Sequence, residues 1–339
     1  MQSRESARTV GDSARHVAYQ ELLEQDDAPP GSSWSVFGPG DQLGMLNNLS
    51  PEATASAARL VRTGEVFCLD YPLNTFVPSV AGTRQPTEHH IFSNNPNHRD
   101  DWLDSFYLQS TTQIDGLRHI RHPRYGFYGG VPDGAVTEGS PDLGIQLASE
   151  RGIVGRGILL DIMRYRAAVG RPYDVTTNEP ITADDLDGAL AWENLESRPG
   201  DIVLLRFGWV EEYLTWSPDE RAARRAKPGL VQSAQTLEWL WDHRVSLVAA
   251  DNTGVEAVPV HDHGWVDPDE EIPPKGRTQN GMLHRPAIAL LGLMLGELWR
   301  LDALAQACAS DSVYEFLLTA KPLNLVGGVG SPANAMAIR

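Results

Sequence analysis

The chain has 339 residues, of which 41% are hydrophobic and 22% charged, a composition typical of a globular protein large enough to bury a sizeable core. It carries 28 lysine and arginine residues against 45 aspartate and glutamate residues, which gives a formal net charge of −17. Because an acidic surface repels phosphate groups, we expect neither a nucleic acid nor a membrane as a partner.

The cysteine and hydropathy patterns predict a reducing compartment. Cys68 and Cys308 are far apart and form no CxxC pair, so neither a disulfide framework nor a cysteine zinc site is expected. Residues 1–28 are polar and charged and contain no apolar segment of the kind found in signal peptides. The longest apolar run, 287–295, is too short to span a bilayer. We therefore expect a cytoplasmic protein.

The chain shows no internal repeat of fixed period and no linker that divides it. We predict an irregular or partly helical arm over residues 1–33. Residues 34–339 are predicted to form a single domain in which strands and helices are mixed.

Local signals place the elements within that domain. Ser50 and Pro51 fit the N-cap and first position of a helix, and Thr182 fits the N-cap of another. A loop is predicted for residues 84–99. Strands are predicted for residues 66–71, for a pair within 102–115, and for 155–162, 200–208, 245–251, 316–320, 323–326 and 335–338.

Polar side chains are concentrated between residues 109 and 119. Alternate residues of an extended chain share a face, so a strand here would project Gln109, Gln113 and Asp115 to one side. Gly116 lets the chain turn, and His119 can return to that side. Metal-assisted or acid–base chemistry uses such a group of oxygen ligands and an imidazole. A polar edge strand with a solvated histidine explains the same short pattern, and the two interpretations stay open.

Aromatic side chains near this stretch suggest a substrate pocket. Trp34, Phe37 and Tyr128 lie in Gly-rich or Pro-rich loops, and we expect them to bind a flat or apolar small molecule. A long loop over residues 258–281 is typical of a lid or a partner-facing segment. The histidines of the loops, His122 and His261 among them, are interpreted as surface residues.

Several segments together resemble the cyclase family of metal-dependent hydrolases, which includes bacterial kynurenine formamidase and isatin hydrolase. The resemblance covers residue 34 to the C-terminus. Residues 109–119 are similar to the family signature His-x-Gly-Thr-His-x-Asp-x-Pro-x-His, and Asp115 and His119 match it. Gln109 and Gln113 stand where the signature has histidines, as in a longer-chain branch with Thr-Gln-x-Asp. Residues 155–161, 200–208, 283–285 with Glu297, and 330–332 resemble later family segments.

The resemblance implies a mixed α/β fold of the swivelling β/β/α type, with a central β-structure flanked by helices, assembled as a homodimer or homotetramer. It also implies a divalent metal, Mn or Zn, held by Asp115, His284 and Glu297. Gln109 and Gln113 would be weak oxygen ligands or hydrogen-bonding groups. A glutamine carbonyl is a harder and weaker ligand than imidazole, which favours Mn, Mg or Ca over Zn at that position.

The predicted function is hydrolysis of a small amide, cyclic amide or lactone. A metal-bound water would attack the carbonyl, with His119 as general base and then acid beside Asp115. Asp251 or Glu256 is a candidate to orient a metal ligand.

Two other classes of function remain open. One is a metal-free cyclase or dehydratase-type enzyme, in which Gln109 and Gln113 donate hydrogen bonds to a carbonyl oxygen while Asp115 and His119 transfer protons. The other is a non-catalytic protein that binds a small molecule on the same scaffold, which would be stabilised by its ligand without turnover.

Overall fold

The structure is a computed structural model, and it describes residues 16–261, 265–271 and 279–339. The remaining parts of the predicted arm and of the 258–281 loop lie outside the described residues. The strands within the described ranges, in chain order, are β1 (Val66–Cys68), β2 (Glu88–Phe92), β3 (Asp100–Asp104), β4 (Gln113–Asp115), β5 (Ile153–Leu160), β6 (Pro180–Ile181), β7 (Ile202–Leu205), β8 (Gly229–Leu230), β9 (Leu247–Ala250), β10 (Leu295–Glu297), β11 (Glu315–Ala320), β12 (Gly330–Pro332) and β13 (Ala335–Ile338).

The α-helices of the same ranges are short. They are α1 (Tyr19–Leu23), α2 (Pro51–Ala57), α3 (Gln146–Arg151), α4 (Ile162–Ala168), α5 (Ala183–Trp192), α6 (Trp209–Tyr213), α7 (Pro218–Ala223), α8 (Ala234–Asp242) and α9 (Asp302–Asp311). Four 3-10 turns are found in the described part of the chain, at Gly44–Asn48, Ala58–Leu60, Tyr128–Gly130 and Asp133–Ala135, and Arg285–Leu290 forms a π-type turn before β10. None of the helices in these ranges is both long and apolar enough to cross a membrane.

A mixed sheet forms the centre of the described structure, with nine strands in the order β1-β13-β11-β5-β7-β9-β10-β4-β12. Strands β5, β7, β9 and β10 run parallel. These four strands are buried almost throughout, as parallel strands are when helices cover both faces of a sheet. The predicted central β-structure flanked by helices is confirmed.

Helix starts follow the capping signals of the sequence. The Ser50 hydroxyl accepts a hydrogen bond from the Ala53 N–H at 3.1 Å, at the start of α2. Thr182 forms a capping box with Asp185 at the start of α5. Each side chain satisfies an N–H that has no partner within the helix, so both predicted helix starts are confirmed.

Three local predictions were wrong. The predicted loop over residues 84–99 contains β2, which pairs with β3 in an exposed hairpin. The backbone hydrogen bonds to β3 stabilise this segment as a strand, although its own sequence carries no strand pattern. The strand predicted for 323–326 has no strand partner, and its apolar side chains are exposed. In the stretch from 109 to 115, only Gln113–Asp115 is a strand, since the chain turns before it.

Buried ion pairs occupy the carboxyl ends of the parallel strands. Asp161 follows β5 and is fully buried, and Arg206 follows β7. The Arg206 guanidinium donates to both carboxylate oxygens of Asp161, at 2.9 and 3.1 Å, and to Glu211 at 2.6 Å. Without Arg206, the buried charge of Asp161 would keep only the longer ion pair with the partly exposed Arg164, at 3.5 Å.

We expect Arg206→Met to lower the free energy of unfolding by about 3–5 kcal/mol, the usual cost of breaking a buried ion pair from one side. The matched control is Arg224→Met, because Arg224 pairs with Glu220 at 2.8 Å on the exposed surface, where such pairs contribute about 0–1 kcal/mol. Denaturant midpoints of the two variants measure the difference. Equal shifts would contradict this account of the buried pair.

A second buried carboxyl, Glu193, lies beside the same ion pair. Burial raises the pKa of Glu193 to about 9, even though its carboxylate accepts the Asp161 N–H at 2.7 Å. The folded chain therefore retains the Glu193 proton at pH values where the unfolded chain has released it.

Glu193→Gln keeps an acceptor for the Asp161 N–H and removes the titration. Because the folded pKa is raised, the wild type should lose stability relative to this variant as the pH rises from about 4.5 towards about 9. Below that range the difference between the two proteins should be constant. Thermal midpoints measured across this pH range test the expectation, and a difference that does not vary with pH would contradict it.

Candidate active site

Asp115, His284 and Glu297 are brought together by strand pairing. In the antiparallel pair of β4 and β10, Asp115 faces Leu295 and Gln113 faces Glu297, so these side chains share one face of the sheet. His284 immediately precedes the turn at Arg285–Leu290. One ligand atom from each of Asp115, His284 and Glu297 lies within 4.8 Å of the other two. The three metal ligands implied by the resemblance therefore converge in the fold.

His284 is oriented by the buried carboxylate of Glu256. Its Nδ1 lies 2.6 Å from Glu256 Oε1, and the same carboxylate accepts the backbone N–H groups of Leu283 at 2.6 Å and His284 at 3.1 Å. The opposite nitrogen, Nε2, lies 3.3 Å from Glu297 and 3.8 Å from Asp115. Such a carboxylate–imidazole pair fixes the ring so that Nε2 faces a cation.

Neighbouring charges and hydrogen bonds shift the pKa values of Asp115 and His284. Burial opposes the charged form of Asp115, but the neighbouring His119 and His284 outweigh burial and lower the pKa of the carboxyl. Burial likewise lowers the pKa of His284, but its hydrogen bonds to Asp115, Glu256 and Glu297 outweigh it and raise that pKa well above the usual value. The Asp115 carboxylate is therefore held in its ionised form, which attracts positive charge.

The donor set suits a divalent cation. Two carboxylates and one imidazole are ligands that Mn and Zn accept. Asp115 is fully buried, and its Oδ2 has no hydrogen-bond partner among the described residues, as is also true of Gln113 Oε1. Because buried polar atoms are rarely left without a partner, these two oxygens are consistent with a cation between the side chains.

The two glutamines act as hydrogen-bond donors. The Gln113 amide donates to Glu297 Oε2 at 2.9 Å. The Gln109 amide nitrogen donates to Asp115 and lies 3.0 Å from His119 Nδ1. Both amides thus serve as hydrogen-bonding groups through their nitrogens, while Gln113 Oε1 has no partner among the described residues and stays a predicted oxygen ligand. Gln109 reaches the cluster from the turn that precedes β4, rather than from the predicted strand.

A cavity of about 180 Å³ opens onto this cluster. His119 lines it with a side chain that is 19% exposed and lies 3.9 Å from Asp115 Oδ2. The other described residues that line the cavity are Phe76, Ser79, Val80, Ala81, Thr83, Arg84, Gln109, Ser110, Gln113, Lys227, Thr253, Gly254, Gln279, Met282, His284, Glu297 and Leu298. The cluster is thus accessible to a small molecule, and His119 lies on the wall of the cavity.

The structure does not bring the three predicted substrate-binding aromatics to this cavity. The Trp34 indole donates to a backbone carbonyl at 2.8 Å, Phe37 packs edge-on against Trp241, and the fully buried Tyr128 hydroxyl donates to Asp41 at 2.9 Å. None of the three is among the described lining residues. The intervening chain places Tyr128 in the core and packs the partly buried Trp34 and Phe37 against it, so proximity in sequence did not bring them to the cavity.

The structure also separates the two candidates for orienting a metal ligand. Asp251 accepts the backbone N–H groups of Phe207 and Gly208 at 2.8 and 2.7 Å, so it anchors a turn, whereas Glu256 contacts His284. Sequence reasoning missed Arg84 and Lys227, which line the cavity from segments without a recognisable motif. The sequence carried little indication that these two residues line a cavity, since isolated basic residues usually lie on the surface.

The family model Cyclase matches residues 70–257, more than half of the chain. A solved structure described as that of a novel cyclase is 32% identical, with a TM-score of 0.77, and the match covers 91% of this chain and 99% of that chain. No curated protein matches the chain.

Isatin hydrolases are more distant structural neighbours. An isatin hydrolase bound to the product analogue thioisatinate is 19% identical, with a TM-score of 0.53 over 85% of this chain and 98% of that chain. Isatin hydrolase A from Labrenzia aggregata, bound to benzyl benzoate, is 15% identical, with a TM-score of 0.52 over 83% and 94%. At such identities the similarity shows a common fold. The extent of the family-model match and the 32% identity to the novel cyclase show that this chain belongs to the cyclase family.

Proposed function

We propose that this protein is a hydrolase that cleaves a small amide, cyclic amide or lactone. The observation that carries the proposal is the convergence of Asp115, His284 and Glu297 beside His119 at one cavity. Carbonyl hydrolysis needs a group that polarises the carbonyl and a group that moves a proton. The isatin hydrolases that share the fold support hydrolysis as the reaction class.

Asp115, His284 and Glu297 would hold the metal, for which Mn and Zn are the candidates. When bound, a divalent ion polarises a carbonyl and lowers the pKa of a coordinated water. Glu256 occupies His284 Nδ1 and so leaves Nε2 directed at Asp115 and Glu297, where it would serve as a ligand. The Gln113 amide limits the movement of the Glu297 carboxylate by its hydrogen bond to Oε2.

His119 is the proposed proton carrier. With the Gln109 amide donating to Nδ1, the neutral ring has its proton on Nε2, which faces Asp115 at 3.9 Å. When a reacting group replaces the Gln109 amide at Nδ1, that nitrogen can take up a proton. The Asp115 carboxylate stabilises the resulting imidazolium, which can then protonate the leaving group.

A metal-free enzyme is the second candidate function, because Gln109 and Gln113 present amide donors rather than oxygens to the carboxylates. In that alternative the amides would hydrogen-bond a carbonyl oxygen while Asp115 and His119 transfer protons. Stoichiometric metal in the purified protein would count against it.

The homodimer or homotetramer implied by the resemblance stays a prediction, which light scattering can test.

Metal binding can be measured without a substrate. We expect protein purified without chelators to contain a divalent metal, and protein stripped with EDTA to regain thermal stability on addition of Mn²⁺ or Zn²⁺. Saturation at 100 times the dissociation constant corresponds to about 2.7 kcal/mol. Asp115→Asn and His284→Ala should abolish the effect, whereas the exposed control Asp133→Asn should retain it. A wild type without metal and without stabilisation would contradict the metal site and favour the metal-free candidate.

The role of His119 is tested by turnover. His119→Ala should reduce kcat by about 100- to 10,000-fold, the usual contribution of general acid–base catalysis, on whichever members of a panel of amides, cyclic amides and lactones the wild type hydrolyses. The control is His89→Ala, because His89 pairs with Asp101 on the exposed hairpin. Full activity of His119→Ala would refute the proposed proton transfer.

A further inference from the structure

Two basic side chains line the cavity that contains the acidic cluster. The Lys227 residue is only 2% exposed, although lysine is among the residues least often buried. Its main chain is held by two hydrogen bonds to Val258, at 2.9 and 3.1 Å, and its ammonium donates to the Thr253 hydroxyl. The fold therefore fixes a positive charge at the wall of the cavity.

Arg84 supplies the second positive charge. Its guanidinium donates to the backbone carbonyl of Gln109, the residue whose side chain contacts both Asp115 and His119. A guanidinium has five N–H donors in a planar fork that matches a carboxylate. Arg84 can thus hold the Gln109 turn with one donor and present others to a ligand.

The basic residues lie close enough to the acidic cluster for one small molecule to reach both. Thr253, which accepts a hydrogen bond from Lys227, is followed by Gly254, which packs against the imidazole of His284. A Cβ added at Gly254 would lie 3.5 Å from His284 Cε1. The cavity wall also includes Phe76 and Met282, which suit the apolar body of a ligand.

We propose that the cavity selects a substrate that carries a carboxylate, which Lys227 and Arg84 receive while the scissile carbonyl lies at the acidic cluster. This inference rests on the proposed hydrolase function. Charge supports it: an anion approaching this protein meets a formal net charge of −17, and the carboxylates of Asp115 and Glu297 repel it within the cavity. The basic side chains that line the same cavity offset that repulsion and orient the molecule.

The test uses matched pairs of ligands that differ only in the carboxylate, with hippurate and N-methylbenzamide among them. Calorimetry should show that the wild type binds the carboxylate member about 10- to 100-fold more tightly in at least one pair, as expected for hydrogen bonds to a charged group. Lys227→Met and Arg84→Met should each reduce this preference about tenfold or more. The exposed control Arg62→Met should preserve it.

The same pairs separate failure of this inference from failure of the proposed function. Hydrolysis of both members with equal kcat/KM would overturn carboxylate selection and leave the hydrolase intact. Binding that prefers the carboxylate member without any turnover would support selection and contradict the hydrolase. No preference in any pair, or an equal loss of kcat on both members in Lys227→Met, would overturn the inference, because Lys227 would then not be acting on the carboxylate.

Discussion

The arrangement of the site depends on the buried carboxylate of Glu256. It accepts hydrogen bonds from the main chain at Leu283 and His284, from His284 Nδ1, and from the Gln232 amide at 2.8 Å. Four donors hold an anion that would otherwise be costly to bury. The same contacts determine the position and the ring orientation of His284. Loss of the contact at Nδ1 would leave the imidazole free to turn away from Asp115 and Glu297.

The pairing of β4 with β10 places two carboxylates on one face, and the surrounding residues offset their repulsion. His119 and His284 supply imidazoles, and Gln109 and Gln113 supply amide donors. The glutamines that replace signature histidines thus lie in contact with the carboxylates and contribute hydrogen bonds to them. An amide has no titratable proton, so this part of the site keeps its donors at any pH.

Structural features that depend on interactions between residues close in sequence could be predicted from the sequence. Helix starts at Ser50 and Thr182 follow from capping by side chains a few residues away. The glutamine–aspartate stretch and its partners were identified by resemblance. The hairpin of β2 and β3 was not predicted, because a polar strand is recognised mainly by its partner. The strand predicted for residues 323–326 does not form, because apolar residues adopt a strand only where the edge of a neighbouring strand is available for pairing.

The sequence by itself determined the globular class, the acidic character, the capped helices and the identity of Asp115, His119, His284 and Glu297 as chemically capable residues. Only the tertiary structure decided which side chains meet at the cavity. It directed Trp34, Phe37 and Tyr128 elsewhere and brought Arg84 and Lys227 to the wall. The physical reason is that strand register and buried hydrogen bonds between distant segments set those positions, and neither has a local signature in the chain.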